Sequence, residues 1–521
     1  MALLSSLVQA QVVVQIGQNF TASILGVDST ALPPDPNGAA GPSHYVEWIN
    51  GRFSVYNKTN ASRVKTMTDL TFWSQAGVTI PSSWDVTDPR LVYDPTVQRW
   101  FASMVDFDPS FVINSNHFLL AVSASADPTG TWRGVSFLSD TNGVNFADFP
   151  RLGLDDQGVY LSGNMFPAIG DSVGASLVSI PKTNLLGTTL IIANRTTFNL
   201  LAESTYGYIP QPAVCLDGSG RGSVLAAAGP GYDLSGNPVN ETTLLNYVVA
   251  NAAGPGRATL TGRTTLSVSS YSAPLDPTQP DGSFNLDDGD ARFSGMVYEV
   301  GGVLYAVHNT EVNNLAAVRW YRINAANHTV LESGTITDPT LDLFYPSIAA
   351  TPSGTVVVCF NGSSISSYVS AYAVVGLTAN GVTSFGNRLL LKSGSASYQD
   401  QPGVDPNTYV SRWGDYSSTC VDPADPNRFW TIQMYPSGSS TWSTQITELR
   451  TAVPTLSIAY TAINVTLSWP GTAIAFNLLS NTSLASTNWT IVTGNFTASN
   501  GLVYAQVPVT AGASFFRLQQ Q

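Results

Sequence analysis

Short apolar runs separated by clusters of Asp, Pro, Gly and Asn fill most of this chain, and their spacing favours strands joined by tight turns over long helices. A loose plan recurs: a polar or acidic residue with Pro or Arg, an apolar strand, a turn of Asp, Pro or Gly, then a second strand carrying an aromatic residue. Its clearest copy is Asp88-Pro89-Arg90-Leu91-Val92-Tyr93-Asp94-Pro95, continuing through Gln98-Arg99-Trp100-Phe101. Asp148-Phe149-Pro150-Arg151 leads a strand that turns at Asp155-Asp156-Gln157-Gly158. Gln211-Pro212-Ala213-Val214-Cys215 turns at Asp217-Gly218-Ser219-Gly220, and Asp290-Ala291-Arg292-Phe293 leads to a turn at Gly301-Gly302. Tyr345-Pro346-Ser347 turns at Ser353-Gly354, and Arg412-Trp413-Gly414-Asp415-Tyr416 turns near Asp422-Pro423. A weaker unit opens at Gly41-Pro42-Ser43-His44.

The starts recur roughly every 55 to 80 residues, a little wider than compact propeller repeats, and give about seven units. A unit of this size buries its sheet only against its neighbours, and closing the series into a ring leaves short, protected edges. The prediction is an all-β chain in which a β-propeller of about seven blades spans 35–452, preceded by an N-terminal extension over 11–34. Beyond Arg450 the plan changes: Val453-Pro454 reads as a linker, and 453–521 reads as a small β-sandwich of fibronectin-like size around Trp469, Trp489 and Phe515-Phe516. In a propeller the first strand of each unit lines the central channel, so residues at the strand starts gather at one mouth.

Composition narrows the partners. Of 521 residues only 11% are charged, against 43% hydrophobic, with 44 Gly and 31 Pro, so solubility rests on Ser, Thr, Asn and Gly. A net charge of −13 repels nucleic acid and anionic lipid. Lysine is confined to Lys58, Lys65, Lys182 and Lys392, which leaves Arg as the main cation. No run reaches the roughly 18 to 20 apolar residues of a membrane span, so no membrane insertion is expected. MALLSSLVQA reads as a shortened signal peptide over 1–10 ending in a small residue, and the expected location is secreted, extracellular or at the cell surface. Cys215, Cys359 and Cys420 form no metal or disulfide spacing and read as buried thiols. His44, His117, His308 and His328 are isolated and suggest no zinc motif. Eleven Asn-x-Ser/Thr sequons, Asn19, Asn57, Asn194, Asn327 and Asn495 among them, become glycan sites only in a host that attaches them.

Four of the proposed inner strands begin with arginine: Arg90, Arg151, Arg292 and Arg412. Each has an aspartate within three residues, Asp88, Asp148, Asp290 and Asp415. Brought to one mouth, the guanidinium groups would make a ligand-binding pocket for a carboxylate or anionic sugar; paired with their own aspartates they would only tie adjacent blades together. No cofactor is required, although Asp287, Asp288 and Asp290 present the oxygen ligands that calcium prefers.

Ser125-Ala126-Asp127-Pro128-Thr129-Gly130-Thr131-Trp132 resembles the Asp-box of sialidase-like propellers, with one extra residue between Asp127 and Gly130. Together with the Asp88-Pro89-Arg90, Phe149-Pro150-Arg151, Tyr345-Pro346-Ser347 and Arg412-to-Tyr416 stretches, it is similar to secreted bacterial sialidase-like (BNR) propeller proteins over most of 35–450. The tail, from Leu467-Ser468-Trp469-Pro470 to Phe515-Phe516-Arg517-Leu518, resembles a C-terminal module of secreted Verrucomicrobia-type proteins. The resemblance implies an arginine grip on a substrate carboxylate and a glycosidase as one reading. Hydrolysis then needs a nucleophile and an acid: Tyr416 or Tyr345 for the first, Asp415 for the second, with Glu203 as the group to activate a tyrosine. The family's Phe/Tyr-Arg-Ile-Pro signature is absent, which weakens that reading. Three functions follow for test: a non-catalytic module binding an extracellular glycan or other surface polymer at the channel mouth, a sialidase-like exo-glycosidase, and a structural protein of the cell envelope or an extracellular assembly that self-associates.

Overall fold

A computed structural model describes residues 12–110, 112–233, 235–282, 284–401, 403–404, 409–452, 455–460, 464–470, 476–484, 488–494, 496–499, 502–508 and 513–520. The proposed signal segment 1–10, Asn495 and the Val453-Pro454 linker lie outside these residues. The chain is all-β: among the described residues seven antiparallel blades form a propeller, two of them joined into one nine-stranded sheet, and two smaller sheets follow.

Each blade runs outward from an inner strand. Blade 1 is Asn37–Ala40, His44–Ile49, Arg52–Asn57 and Arg63–Met67; blade 2 is Asp85–Asp94, Arg99–Phe107, His117–Ser123 and Trp132–Leu138. Blade 3 is Phe146–Leu154, Gly158–Phe166, Ala175–Pro181 and Thr196–Leu201. Blade 4 is Tyr208–Pro212, Ser223–Ala227, Glu241–Ala250 and Thr259–Tyr271. Blade 5 is Tyr298–Val300, Val303–Val312, Leu315–Asn324 and Thr329–Ile336. Blade 6 is Asp342–Ala350, Thr355–Ser364, Ser367–Ala379 and Val382–Phe385, with Leu389–Lys392 added at its edge. Blade 7 is Ser418–Asp422, Asp425–Gly438 and Thr441–Ala452, and its outermost strand is Val13–Ile24, drawn from the start of the chain.

Inner strands pack on their neighbours in order, and the last packs on the first, so the ring closes. The inner strand of blade 4 continues as Val214–Cys215, which pairs in parallel with Leu154 of blade 3 and with Tyr298 of blade 5. Middle strands are buried on both faces, Thr355–Ser364 throughout, whereas outer strands such as Thr329–Ile336 are half exposed. Apolar residues therefore run continuously in the middle of each blade and alternate at its rim.

Adjacent blades share a core. Between blades 1 and 2 a seven-residue helix, Asp69–Gln75, lays Phe72 and Trp73 against Trp48, Phe53 and Trp132. Thr68 caps it by accepting the Thr71 N–H, and the Asp69 carboxylate accepts the Trp48 indole N–H at 2.8 Å and the Gly51 amide at 2.6 Å. In the Asp127-to-Trp132 turn, Asp127 accepts from the Thr129 amide and hydroxyl while Trp132 donates to the Pro128 carbonyl and fills the gap beside Phe53. Trp73→Ala is expected to cost about 3–5 kcal/mol, read as a shift in urea midpoint.

The tail forms two antiparallel sheets. Ser457–Tyr460, Asn464–Pro470, Leu502–Pro508 and Thr497–Ser499 make one, and Thr490–Ile491, Phe476–Asn481 and Phe515–Gln520 the other. Leu467, Trp469, Leu478 and Ala505 are buried between them. Cys215, Cys359 and Cys420 are buried and unpaired, and burial pushes their thiols up to about 12, 11 and 12. No helix among the described residues is long and apolar enough to cross a membrane.

Candidate functional site at the channel mouth

One backbone device, repeated, builds the mouth. Asp35, Asp88, Phe149, Ile209 and Tyr345 all adopt φ between 45° and 62°, and each precedes a proline. A bulge follows in four inner strands, where the register slips between Thr87 and Arg90, Asp148 and Arg151, Tyr208 and Gln211, and Phe344 and Ser347. Proline has no N–H for the ladder, so a bulge is where a strand accommodates it, and the bulge re-aims the preceding side chain. Asp35, Asp88, Phe149 and Tyr345 consequently line the cavity. A left-handed isoleucine at 209 is costly backbone, which surrounding structure must hold in place.

The cavity is about 460 Å³ and strongly acidic. Its carboxylates are Asp35, Asp88, Asp148, Asp287, Asp288, Asp290 and Asp415, against two cations, Arg292 and Arg412. Asn50 secures one side: its amide donates to Asp35 at 2.8 Å, and its carbonyl oxygen accepts the Asp88 amide at 2.9 Å. Asp415 donates its backbone N–H to Asp35 at 2.8 Å and accepts the Tyr345 hydroxyl at 3.2 Å. Crowding has the expected effect on protonation. Burial, then Asp415 and Asp88, hold the Asp35 carboxyl well above the carboxylate range, and burial with Asp88 raises Asp148. Burial pushes Asp415 up to about 7 against the opposing pull of Arg412.

The four arginines occupy different depths. Two residues beyond the left-handed position, where the ladder resumes, Arg90 and Arg151 lie beneath the mouth, 2% and 1% exposed, and neither is paired with the aspartate beside it in sequence. Arg90 donates to the Pro150 and Pro89 carbonyls, with its guanidinium carbon 3.3 Å from the Tyr416 ring centroid. Arg151 donates to the Ser294 carbonyl at 2.8 Å and stacks 4.3 Å from Phe149. Burial, with Arg90 next to it, brings the Arg151 guanidinium down to about 9. Arg292 stacks on the same Phe149 ring, 4.0 Å from its centroid, and is held by Asp290 and by the Tyr208 hydroxyl. With Phe149 and Tyr416 4.6 Å apart, cations and rings tie blades 2, 3 and 7 to the lead-in of blade 5. Arg412 stands at the rim, 46% exposed, beside Asp415 at 3.2 Å and Asp287 at 3.6 Å.

The tyrosines meet aspartates in place of the expected glutamate. Tyr416, 2% exposed, donates to Asp88 at 2.6 Å, and Tyr345 to Asp415. Burial raises both phenols well above their ordinary value, so each is held protonated. Glu203 lies on a one-turn helix, Glu203–Tyr206, ahead of blade 4 and is not among the cavity residues; burial and the charge of Asp290 raise its carboxyl. Of the three aspartates considered for calcium, Asp290 is committed to Arg292 and Tyr208, while Asp287 and Asp288 remain on the cavity wall. Asp35, Asn50, Tyr232 and Asn309 join the site without having been singled out. The recurring X-Pro dipeptide marks the first of these, and nothing local marks the others.

No protein-family model and no curated protein matches the chain. Solved structures similar to it include the Drosophila semaphorin 1b extracellular domains, at 7% identity over 84% of this chain and 87% of that one, with a TM-score of 0.38. A Trypanosoma rangeli sialidase is 10% identical over 81% of this chain and 59% of that one, TM-score 0.33. An exo-β-1,3-galactanase from Phanerochaete chrysosporium is 10% identical over 83% and 99%, TM-score 0.30.

Proposed function

We propose that this protein is an extracellular, non-catalytic binding module whose channel-mouth cavity takes the end of a neutral glycan chain. The observation that carries the reading is the imbalance of the cavity: seven carboxylates face two guanidinium groups, and both of those are already paired. A carboxylate-bearing sugar would meet net repulsion there. Hydroxyl groups suit such a lining, because carboxylates accept from them and protonated carboxyls donate to them. The volume falls within the range of about 300–1,000 Å³ typical of small-ligand sites, and Tyr232 and Phe149 offer apolar faces beside the acceptors.

The test is a glycan array followed by calorimetry. Neutral oligosaccharides should bind without turnover, and Asp148→Asn, which alters a cavity acceptor, should weaken binding on the order of tenfold. Binding confined to sialosides would sink the reading. A hydrolytic alternative is favoured by one observation, the Asp415 carboxyl at about 7, where a general acid is useful; release of fluorophore from a fluorogenic glycoside, lost in Asp415→Asn, would establish it. Concentration-dependent polymerisation would instead favour a structural role.

A further inference from the structure

We propose that the blade 5 side of the same cavity holds a calcium ion, ligated by the Asp288 carboxylate and the Asn309 side-chain oxygen. Asp288 is 1% exposed, lines the cavity, and neither of its carboxylate oxygens has a hydrogen-bond partner. Among the described residues no cation pairs with it, and the carboxylates around it, Asp276, Asp287 and Asp342, all act in the direction of repulsion. A buried carboxylate so placed is costly unless it is protonated or coordinates a metal.

Asn309 supplies the second oxygen. Its amide nitrogen donates to the Asp288 main-chain carbonyl at 2.7 Å, which fixes the flip of the side chain. The opposite atom, Oδ1, is then buried in the cavity wall with no donor to satisfy it. A protonated Asp288 has a single hydrogen to donate and meets at most one neighbouring acceptor, whereas a cation meets the Asp288 and Asn309 oxygens together. Ser294 Oγ, likewise unpartnered, lines the same cavity. The donors are all oxygen, which selects a hard cation, and calcium accepts a partial protein shell completed by water where magnesium demands near-octahedral geometry. Asp342 does not line the cavity, and its oxygens accept from the Thr278 and Ala316 amides. Among the described residues no three Asp, Glu, His or Cys side chains are gathered as a metal cluster, so the site is a weak one. Its expected Kd is on the order of 10⁻⁴–10⁻³ M, as in extracellular calcium modules.

The experiment uses the full chain, stripped with chelator, and calcium chloride alone, so it is independent of the glycan reading. Calorimetry at neutral pH should show one site of that affinity, and 10 mM calcium should raise the thermal midpoint by several degrees. Asp288→Asn should abolish both effects. Asp287→Asn, at the rim, should weaken binding several-fold through lost charge and serves if Asp288→Asn does not fold. Asp425→Asn, in an acidic turn of blade 7, should change nothing. Absence of calcium heat, heat unaffected by both cavity substitutions, or an equal response to magnesium would overturn the proposal.

Discussion

Deleting residues 1–24 is expected to lower the thermal midpoint by about 10 °C or more, or to leave the chain insoluble. The deletion removes Val13–Ile24, the outer strand of blade 7, whose ladder runs from Val13 opposite Ala452 to Ile24 opposite Ser443. It also strips a buried junction between blades 7 and 1. Glu47, fully buried, accepts from Ser23, Tyr56 and Thr444. Without Ser23 and the strand around it, that carboxylate loses a donor and gains water on one side. Ser23→Ala alone should cost about 1–3 kcal/mol, the penalty for one unmet buried group, or roughly 2–12 °C at about 2–4 °C per kcal/mol, and the truncation, which removes the same hydroxyl and the whole strand with it, should cost more than the point variant. Differential scanning calorimetry of both decides it; a truncated chain melting with the wild type would show that the ring holds with three strands in its last blade.

Stability should peak near pH 4–5 and fall as pH rises to about 7, the reverse of what many proteins show across that interval. Asp69, Asp415 and Glu299 are pushed up to about 7 and Asp276 to about 6, in every case first by burial. In the unfolded chain these groups titrate near 4. Between about pH 4 and 7 the native state therefore binds more protons than the unfolded one, and stability declines as pH increases. Above 7 all four groups are ionised in both states and the decline stops. A second set bounds the window from below: hydroxyl and amide donors hold Asp127, Asp217 and Asp338 under the usual carboxylate range, so their contribution is lost only as pH drops through their native values, below about 4. Urea titrations from pH 3 to 9, with chelator present, measure the profile. Glu299→Gln should flatten part of the slope, because burial is what raises the Glu299 carboxyl and a glutamine there takes up no proton. A wild-type profile rising from pH 5 to 8 would contradict the assignment.

Much of the ring was legible because its punctuation is local. Asp88-Pro89, Phe149-Pro150 and Tyr345-Pro346 each sit three residues inside the start of an inner strand. Blade 4 is read one step late, at Gln211-Pro212, because Ile209-Pro210 beside it carries the left-handed residue. The strand that completes blade 7 lies more than 400 residues from its partner, and no local pattern announces a pairing at that range. Depth was hidden in the same way. Alternation along an inner strand puts Asp88 and Arg90 on one face, but the bulge between them sends Asp88 to the cavity and Arg90 beneath it, onto a ring supplied by Tyr416 far along the chain. Glu203 drew notice as a carboxylate upstream of a strand start. Asp88, the residue that meets the Tyr416 hydroxyl, looked like a partner for Arg90.

The five left-handed residues ahead of proline are Asp, Asp, Phe, Ile and Tyr. One backbone shape thus tolerates acid, aromatic and aliphatic side chains alike, since the proline and the slipped register hold the geometry and the side chain extends beyond the ladder. Under the proposed binding role, substitution at the four of those slots that line the cavity changes what it presents while the strands beneath go untouched.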